Sequence, residues 1–413
     1  MIRLLIRIKK RLLYEFWNNF DILYKPYVLF RGAQIKRKDK IRVLFVVAEL
    51  GAWKTEALYL EMSKHPRFEP LVGVTESIEV PGSKQPLIDY LNRKGYQYVD
   101  LDIKGNSIGK TKSDLLFYYK PYDDSYPDRH CFKRHLRALP CFLNYAFTSM
   151  GNKKYVSAQI CNYSWYVFVE NELVARRKIE IVGWRAKNVR VTGIPMQDIL
   201  INAQKSQNDP WKDKSQRKRI IYAPHHSFKG TNGIGKHVGT EYATFLEFGE
   251  TLLYLAEKYK NDVVFSFKPH PTLYVKLIKI WGKEKTERYY KEWQIRENSQ
   301  YNPGEYYDLF MHSDAMIHDC VSFQIEYQYT HNPVMFLDAA NHKIEDQNEF
   351  GRMAFDMHYK GHNEEDIEQF IKDVINGNDP MKEQREFFYN KYLLPPKGLK
   401  ASENIINTIL GEN

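Results

Sequence analysis

The sequence has no run of about 18 uninterrupted apolar residues, so no transmembrane helix is expected. Its N-terminus holds no signal-peptide core either, because the apolar residues there are interleaved with Arg and Lys. Cysteine is scarce: Cys131, Cys141, Cys161 and Cys320 show neither C-x-x-C nor His-paired metal spacing. They read as reduced core thiols of a cytosolic protein, not as a disulfide framework. The missing G-x-G-x-x-G argues against a dinucleotide oxidoreductase. No P-loop, G-x-S-x-G elbow or H-E-x-x-H occurs, and no internal repeat or low-complexity segment stands out. No D-x-D at a strand end has a clear partner, so no metal or cofactor is expected.

What is present is length, aromatics and a basic front end. At 413 residues the chain exceeds the size at which one core stops growing, which favours two domains. Thirty Tyr and 23 Phe supply half-buried, ligand-facing surface. The formal charge is +10, but residues 1–40 hold eleven basic and three acidic residues, leaving the rest near neutral. Within that arm Ile2, Leu5, Ile8, Leu12, Phe16 and Phe20 recur at three- and four-residue spacing, with Arg3, Arg7, Lys10 and Arg11 mainly on other faces. This is an amphipathic helix with a cationic side. It suits an anionic membrane surface, with Trp17 as interfacial anchor, or alternatively packs on the protein's own core. Nucleic acid is not expected, since the cations are confined to one terminal arm.

From residue 41 short apolar runs alternate with helical stretches, the pattern of parallel βαβ units. Strands are expected in "IRVLFVVAEL", "FEPLVGVT", "YQYVDLD", "DLLFYYKP", "ALPCFLNYAF", "WYVFVEN" and "NVRVTGIP". After the polar stretch 202–218, read as a linker, "RIIYAP", "DVVFSFKP", "DAMIHD" and "PVMFLD" repeat the pattern. The expected organisation is a membrane-associating segment at 1–40, a Rossmann-like acceptor domain at 41–201, a second, nucleotide-donor domain at 219–385 and a helical tail at 386–413. Two such domains would face a central cleft at the carboxyl ends of their strands.

"RIIYAPHHS", "FSFKPHP", "YYDLFMHSDAMIHDCVSFQIEYQYTHNPVMFLD", "GLKASENIINTIL" and the turn "VTGIPMQD" occur in order over roughly residues 160–413. In this the chain resembles the CDP-glycerol glycerophosphotransferase family of teichoic-acid and capsule biosynthesis. The resemblance implies an α/β, GT-B-like fold and a peripheral enzyme on the cytoplasmic face of the bacterial membrane. It also implies transfer of polyol phosphate from CDP-glycerol, or a related CDP-alcohol, to a membrane-linked glycan or polyol-phosphate acceptor, with release of CMP. The sequence departs from the family where W-H-G-T is usual: the counterpart "FLNYAFTSM" lacks His. The Y-A-P-T-[WY]-R turn is here Tyr222, Ala223, Pro224, His225, His226 and Ser227, and the D-Y-S-S-x-x-x-D start is Asp319, Cys320, Val321, Ser322 and Glu326.

Transfer from a CDP-alcohol needs donors and cations around a pyrophosphate. Lys268 and His270, clamped by Pro269 and Pro271 at a strand end, fit that need, or else form a plain surface turn. Ser322 opens a helix where backbone N–H groups favour phosphate, or simply caps it. Glu326 matches an acidic residue that contacts ribose hydroxyls in many GT-B enzymes, and Asp319 joins the donor set or stiffens the turn. His225, His226 and His270 are the catalytic candidates, with the general base unassigned. Ser227, Lys229 and Gly230 continue the His225 loop. Thr192, Gly193 and Pro195 read as a turn, Gly51 as a turn or a close approach to acceptor, and His130 and His135 as secondary candidates. Two other readings stay open: a GT-B glycosyltransferase using a nucleotide sugar, and a non-catalytic relative of the same fold.

Overall fold

A strand covered on both faces needs apolar residues at nearly every position, and β1 (Ile41–Val47) exposes only Arg42. The structure, a computed structural model, describes residues 2–121, 125–151, 156–228, 243–338 and 344–412. β1 is followed by β2 (Phe68–Val74), β3 (Tyr98–Asp100), β4 (Leu115–Tyr118), β5 (Leu139–Leu143), β6 (Tyr166–Val169) and β7 (Val189–Val191). They form one sheet in the order β3-β2-β1-β4-β5-β6-β7, with every pair parallel. All seven were expected. The order reverses between β1 and β4, as in doubly wound folds, whose ligands bind beyond the carboxyl ends of the strands.

The second sheet contains β8 (Lys218–Ala223), β9 (Val263–Phe267), β10 (Ser299–Tyr301), β11 (Ala315–His318), β12 (Val334–Leu337) and β13 (Tyr359–Gly361). Its order is β10-β9-β8-β11-β12-β13, again all parallel. The edge strands β10 and β13 were not legible in sequence. Each has three residues, one flank unpaired, and polar Gln300 or Lys360 at its centre. One core of this sheet gathers Phe245, Phe265, Phe267, Tyr289 and Trp293 between the strands and the helices Phe245–Lys258 and Lys283–Ile295.

The chain divides into two units, residues 1–198 with 395–413, and residues 199–394. Both ends differ from the expected organisation. The stretch 202–218 belongs to the second unit: Trp211 is buried among Ile221, Val264 and Phe310, and its indole N–H donates to the Leu309 carbonyl (3.3 Å). The tail from Pro395 belongs to the first unit, because Asp198 receives the N–H groups of Ala401 (2.7 Å) and Ser402 (2.8 Å) at the start of helix Ala401–Leu410. Gly193 has φ +76°, and a Cβ there would stand 2.8 Å from Ala401 Cβ. The T-G-x-P-x-x-D turn therefore docks the tail. All four cysteines are buried, and none is in a disulfide.

The N-terminal helix runs from Ile2 to Lys36. The side chains of residues 2–11, Arg3, Arg7, Lys10 and Arg11 among them, lie outside the described part. From Trp17 onward the helix packs on the first unit. Tyr163 donates to the Trp17 carbonyl (2.6 Å), Arg185 holds the buried Asp21 (2.9 Å), and Tyr24 donates to the Leu136 carbonyl (2.9 Å). Ile35 is fully buried and Arg31 reaches Asp114 at 2.8 Å. Trp17 thus rests edge-on against Tyr163. No helix among the described residues is long and apolar enough to cross a membrane.

Gly32 is the tightest point of this docking, since a Cβ there would lie 2.6 Å from Trp165 Nε1. Gly32→Val is expected to lower stability by about 1–3 kcal/mol through overpacking. Gly51→Ala, where a Cβ meets nothing within 4 Å, should stay within about 0.5 kcal/mol of the parent. Denaturant unfolding midpoints of the two variants check the contrast.

Candidate active site

Beyond the carboxyl end of β8 the backbone keeps its partner. Lys268 N–H donates to the Tyr222 carbonyl (2.8 Å) and His270 N–H to the Pro224 carbonyl (3.0 Å), so the ladder between β8 and β9 extends into "KPHP". The extension brings His270 beside His225 and His226, with ring centroids 4.9 and 4.0 Å away, and the first two rings are 4.3 Å apart. Two chain segments more than 40 residues apart thereby form one half-buried cluster of imidazoles.

Asp319, at the end of β11, fixes the cluster from beneath. Its fully buried carboxylate receives His225 N–H (2.5 Å), Thr244 N–H (2.7 Å) and the Thr244 hydroxyl (3.0 Å). Burial pushes its pKa up to about 6 against the pull of these donors. Asp319 is thus a hub of backbone bonds, the stiffening role open to it from sequence. Behind it His318 and His358 form a second, buried pair with their Nε2 atoms 3.1 Å apart. Cys320 N–H donates to His318 Nδ1, and His358 Nδ1 lies 2.8 Å from the Ala354 carbonyl. His318 Nε2 therefore carries the proton that bridges the two neutral rings.

The ring of His270 is also set by the backbone. Thr272 N–H donates to its Nδ1 (3.1 Å), so the neutral ring carries its proton on Nε2 and is a donor there. Burial, with the ammonium groups of Lys276 and Lys268, holds His270 down at about 4. Burial, then the neighbouring imidazoles, holds His225 well below the usual range. Neutral donors and nearby cations suit a phosphate. The nitrogens of the three rings lie within 4.8 Å of one another, close enough to hold a metal ion. Such binding through His270 Nε2 would require the ring to give up its bond with Thr272.

The other candidates separate. Lys268 is buried, donates to the Gly304 carbonyl (2.8 Å) and stands 5.2 Å from the Tyr306 ring centroid. The Tyr306 hydroxyl donates to Glu326, which is also buried. Tyr306 thus links the two, although only its segment and not the residue stood out in sequence. Ser322 is exposed at the start of the four-residue helix Phe323–Glu326 and makes no capping bond. Ser227 is buried with its hydroxyl 3.0 Å from His225 Nδ1. Lys229 and Gly230 lie outside the described residues. Thr244 and Lys276 were missed, because a Thr before a helix and a Lys within one carry no signal until the fold sets the first against Asp319 and the second near His270.

In the first unit His130 is buried, with Nε2 3.1 Å from Asp102. His135 Nε2 donates to the Arg129 carbonyl (2.8 Å). The D-x-D that follows from the end of β3, Asp100-Leu101-Asp102, is engaged by cations. Lys84 lies 3.1 and 3.6 Å from its two acids, and Arg129 lies 2.7 Å from Asp102. In place of W-H-G-T, Thr148 donates to Glu170, a buried carboxylate at the end of β6 that burial raises above its usual range.

Residues 145–411, which hold the imidazole cluster, the Asp319 hub and the docked tail, match the model of the CDP-glycerol:poly(glycerophosphate) glycerophosphotransferase family. The chain belongs to this family. It is therefore a transferase, and its two parallel sheets resemble those of GT-B enzymes. Among solved structures, a variant of the wall teichoic acid polymerase TagF soaked with CDPG superposes with TM-score 0.58 at 15% identity, covering 100% of this chain and 97% of that one. UDP-GlcNAc 2-epimerase from Neisseria meningitidis, bound to UDP-GlcNAc, gives 0.57 at 16%, covering 91% and 100%. S. aureus MnaA with UDP gives 0.56 at 18%, covering 89% and 96%. At these identities the likeness is one of fold. Among curated proteins none matches the chain.

The His270 resonance is expected to titrate near 4 and to move upward in Lys276→Met, which removes a cation that lowers it. NMR of the imidazole protons measures both. With His270 and His318 depressed, to about 4 and about 3, the unfolded chain binds more protons below pH 6.5. Their contribution to stability is complete above that pH and is lost as pH falls toward those values.

Proposed function

We propose that the protein transfers polyol phosphate from CDP-glycerol, or a related CDP-alcohol, to a membrane-linked cell-envelope or capsular polysaccharide acceptor, releasing CMP. The observation that carries this reading is the cluster of His225, His226 and His270 at the carboxyl ends of β8 and β9, within the family-matched residues. An acceptor hydroxyl oxygen bonds to the outer phosphorus. The bond from that phosphorus to the bridging oxygen breaks, and CMP departs with the electron pair. His270 Nε2–H donates to a phosphate oxygen, and the positive charge of Lys268 and Lys276 offsets the charge that builds there. Glu326 accepts from ribose hydroxyls, with Ser322 at the rim of the donor site. A bound pyrophosphate raises the basicity of nearby imidazoles, which lets His225 or His226 take the acceptor's proton.

The N-terminal helix supports a peripheral position on the cytoplasmic membrane face. Leu12, Phe16, Leu23, Tyr27 and Phe30 are all exposed. At 100° per residue they fall within about 60° of one another. The face that carries Asp21, Tyr24, Val28 and Ile35 is buried instead. Deleting the arm up to residue 38 would strip core contacts, so point changes on the exposed stripe are the sound test. Leu23→Asp/Phe30→Asp is expected to abolish sedimentation with anionic vesicles and to leave the unfolding midpoint unchanged.

Nucleotide release is measured chromatographically with CDP-glycerol, CDP-ribitol and CMP-, UDP- and GDP-sugars over a crude membrane acceptor. CMP from a CDP-alcohol, reduced about 10²–10³-fold in His270→Ala, is expected. Release persisting in excess chelator is expected too, since the Thr272 bond makes His270 Nε2 a donor. UDP or GDP from a sugar nucleotide would replace this reading with a glycosyltransferase. Binding without release would make the protein a non-catalytic relative.

A further inference from the structure

We infer that a groove in the first unit, at the amino ends of β4 and β5, receives the phosphate of an anionic lipid headgroup. The inference deepens the membrane reading above and rests on it. The groove encloses about 790 Å³ and is bounded by the N-terminal helix, the segment before β4 and the segment before β5. Arg31, Lys112, Lys133, Arg134 and Arg137 line it, and among the described residues no Asp or Glu does.

Among the described residues, two carboxylates outside the lining pair with Arg31 and Arg134. Asp114 pairs with Arg31 and also with Lys38, and Asp128 pairs with Arg134. Among the described residues the groove therefore keeps an excess of positive charge, carried by Lys112 and Arg137. Lys112 and Arg137 are exposed, and among the described residues neither enters an ion pair. His135, beside them, is held below its usual pKa by burial and adds a neutral imidazole instead of a charge. A concave site with converging guanidinium and ammonium groups, and no acid among the described residues of its lining, is built for phosphate oxygens.

Position in the fold separates this groove from the reaction. Doubly wound sheets bind their substrates at the carboxyl ends of the strands, and residues 108–113 and 133–138 precede β4 and β5. The choice of a lipid phosphate over a free one comes from the wall that the groove shares with the exposed stripe. Tyr27 lines the groove, and its hydroxyl donates to the Arg137 carbonyl (2.7 Å). On the same helical face Leu23 is 74% and Phe30 64% exposed. A headgroup held by Arg137 and Lys112 thus lies beside side chains suited to the acyl boundary, cations at headgroup level and apolar groups alongside. Free phosphate would use the same cations and would gain nothing from the stripe.

The test uses the full chain with vesicles of phosphatidylglycerol mixed with phosphatidylcholine, vesicles of phosphatidylcholine alone, and inorganic phosphate as soluble competitor. Lys112→Glu/Arg137→Glu is expected to lower partitioning onto the phosphatidylglycerol vesicles by about thirty-fold or more, as expected for at least two lost headgroup contacts. It should leave the weak binding to phosphatidylcholine unchanged. Lys112→Gln/Arg137→Gln should show a smaller loss of the same kind, and both variants should keep the parent's unfolding midpoint.

Wild-type binding of phosphatidylglycerol that neither groove variant weakens overturns the groove while leaving the helix reading in place. Absence of wild-type binding to either vesicle overturns both. Millimolar inorganic phosphate that binds in a Lys112- and Arg137-dependent way, with vesicle binding indifferent to those residues, makes the groove a free-phosphate site and overturns the lipid assignment.

Discussion

A buried carboxylate is tolerated only when its oxygens are fully engaged, and the candidate site depends on one such group. Asp319 takes one N–H from the loop after β8, and an N–H and a hydroxyl from the residue before helix Phe245–Lys258. Positions 225, 244 and 319 are separated in the chain and meet at this carboxylate. Once the His225 backbone is pinned, the extended ladder between β8 and β9 sets His270 beside it. The placement of the imidazole cluster is thus a consequence of backbone hydrogen bonds, which are directional and short-ranged, and not of attraction between the rings.

Burial keeps the cluster electrically quiet. With His225 and His270 both depressed, the site presents oriented neutral donors backed by Lys268 and Lys276. A fixed donor needs no reorganisation when charge develops on phosphorus, and its effect grows in a half-buried setting where water is sparse. Lys268 is held by the Gly304 carbonyl and Tyr306, so its charge acts from a set position.

Sequence and structure agree where the signal was a continuous apolar run. All eleven strands read from such runs are present, because a strand covered on both faces leaves its composition no freedom. β10 and β13 escaped, since "SQY" and "YKG" are too short and polar to differ from loop. The N-terminal arm is a harder case. Its basic, amphipathic pattern is plain, yet a stripe of apolar residues cannot say whether it faces a core or a membrane. The helix carries both: Tyr24, Val28 and Ile35 are buried on one face, while Leu23 and Phe30 are exposed on another. Periodicity summed over all apolar residues merges the two.

The sequence by itself determined the parallel α/β class, the two-sheet organisation, the family and the site-bearing segments "YAPHHS" and "KPHP", because each rests on residue types at local spacing. Only the tertiary structure decided which of those residues meet. It made Asp319 a hub instead of a ligand-facing acid and left Ser322 exposed. It joined Lys268 to Glu326 through Tyr306, fixed the His270 tautomer through Thr272, and returned the C-terminal helix to Asp198. Each of these is a contact between distant segments. A hydrogen bond acts over about 3 Å, and no local pattern in a sequence encodes which distant groups will come that close.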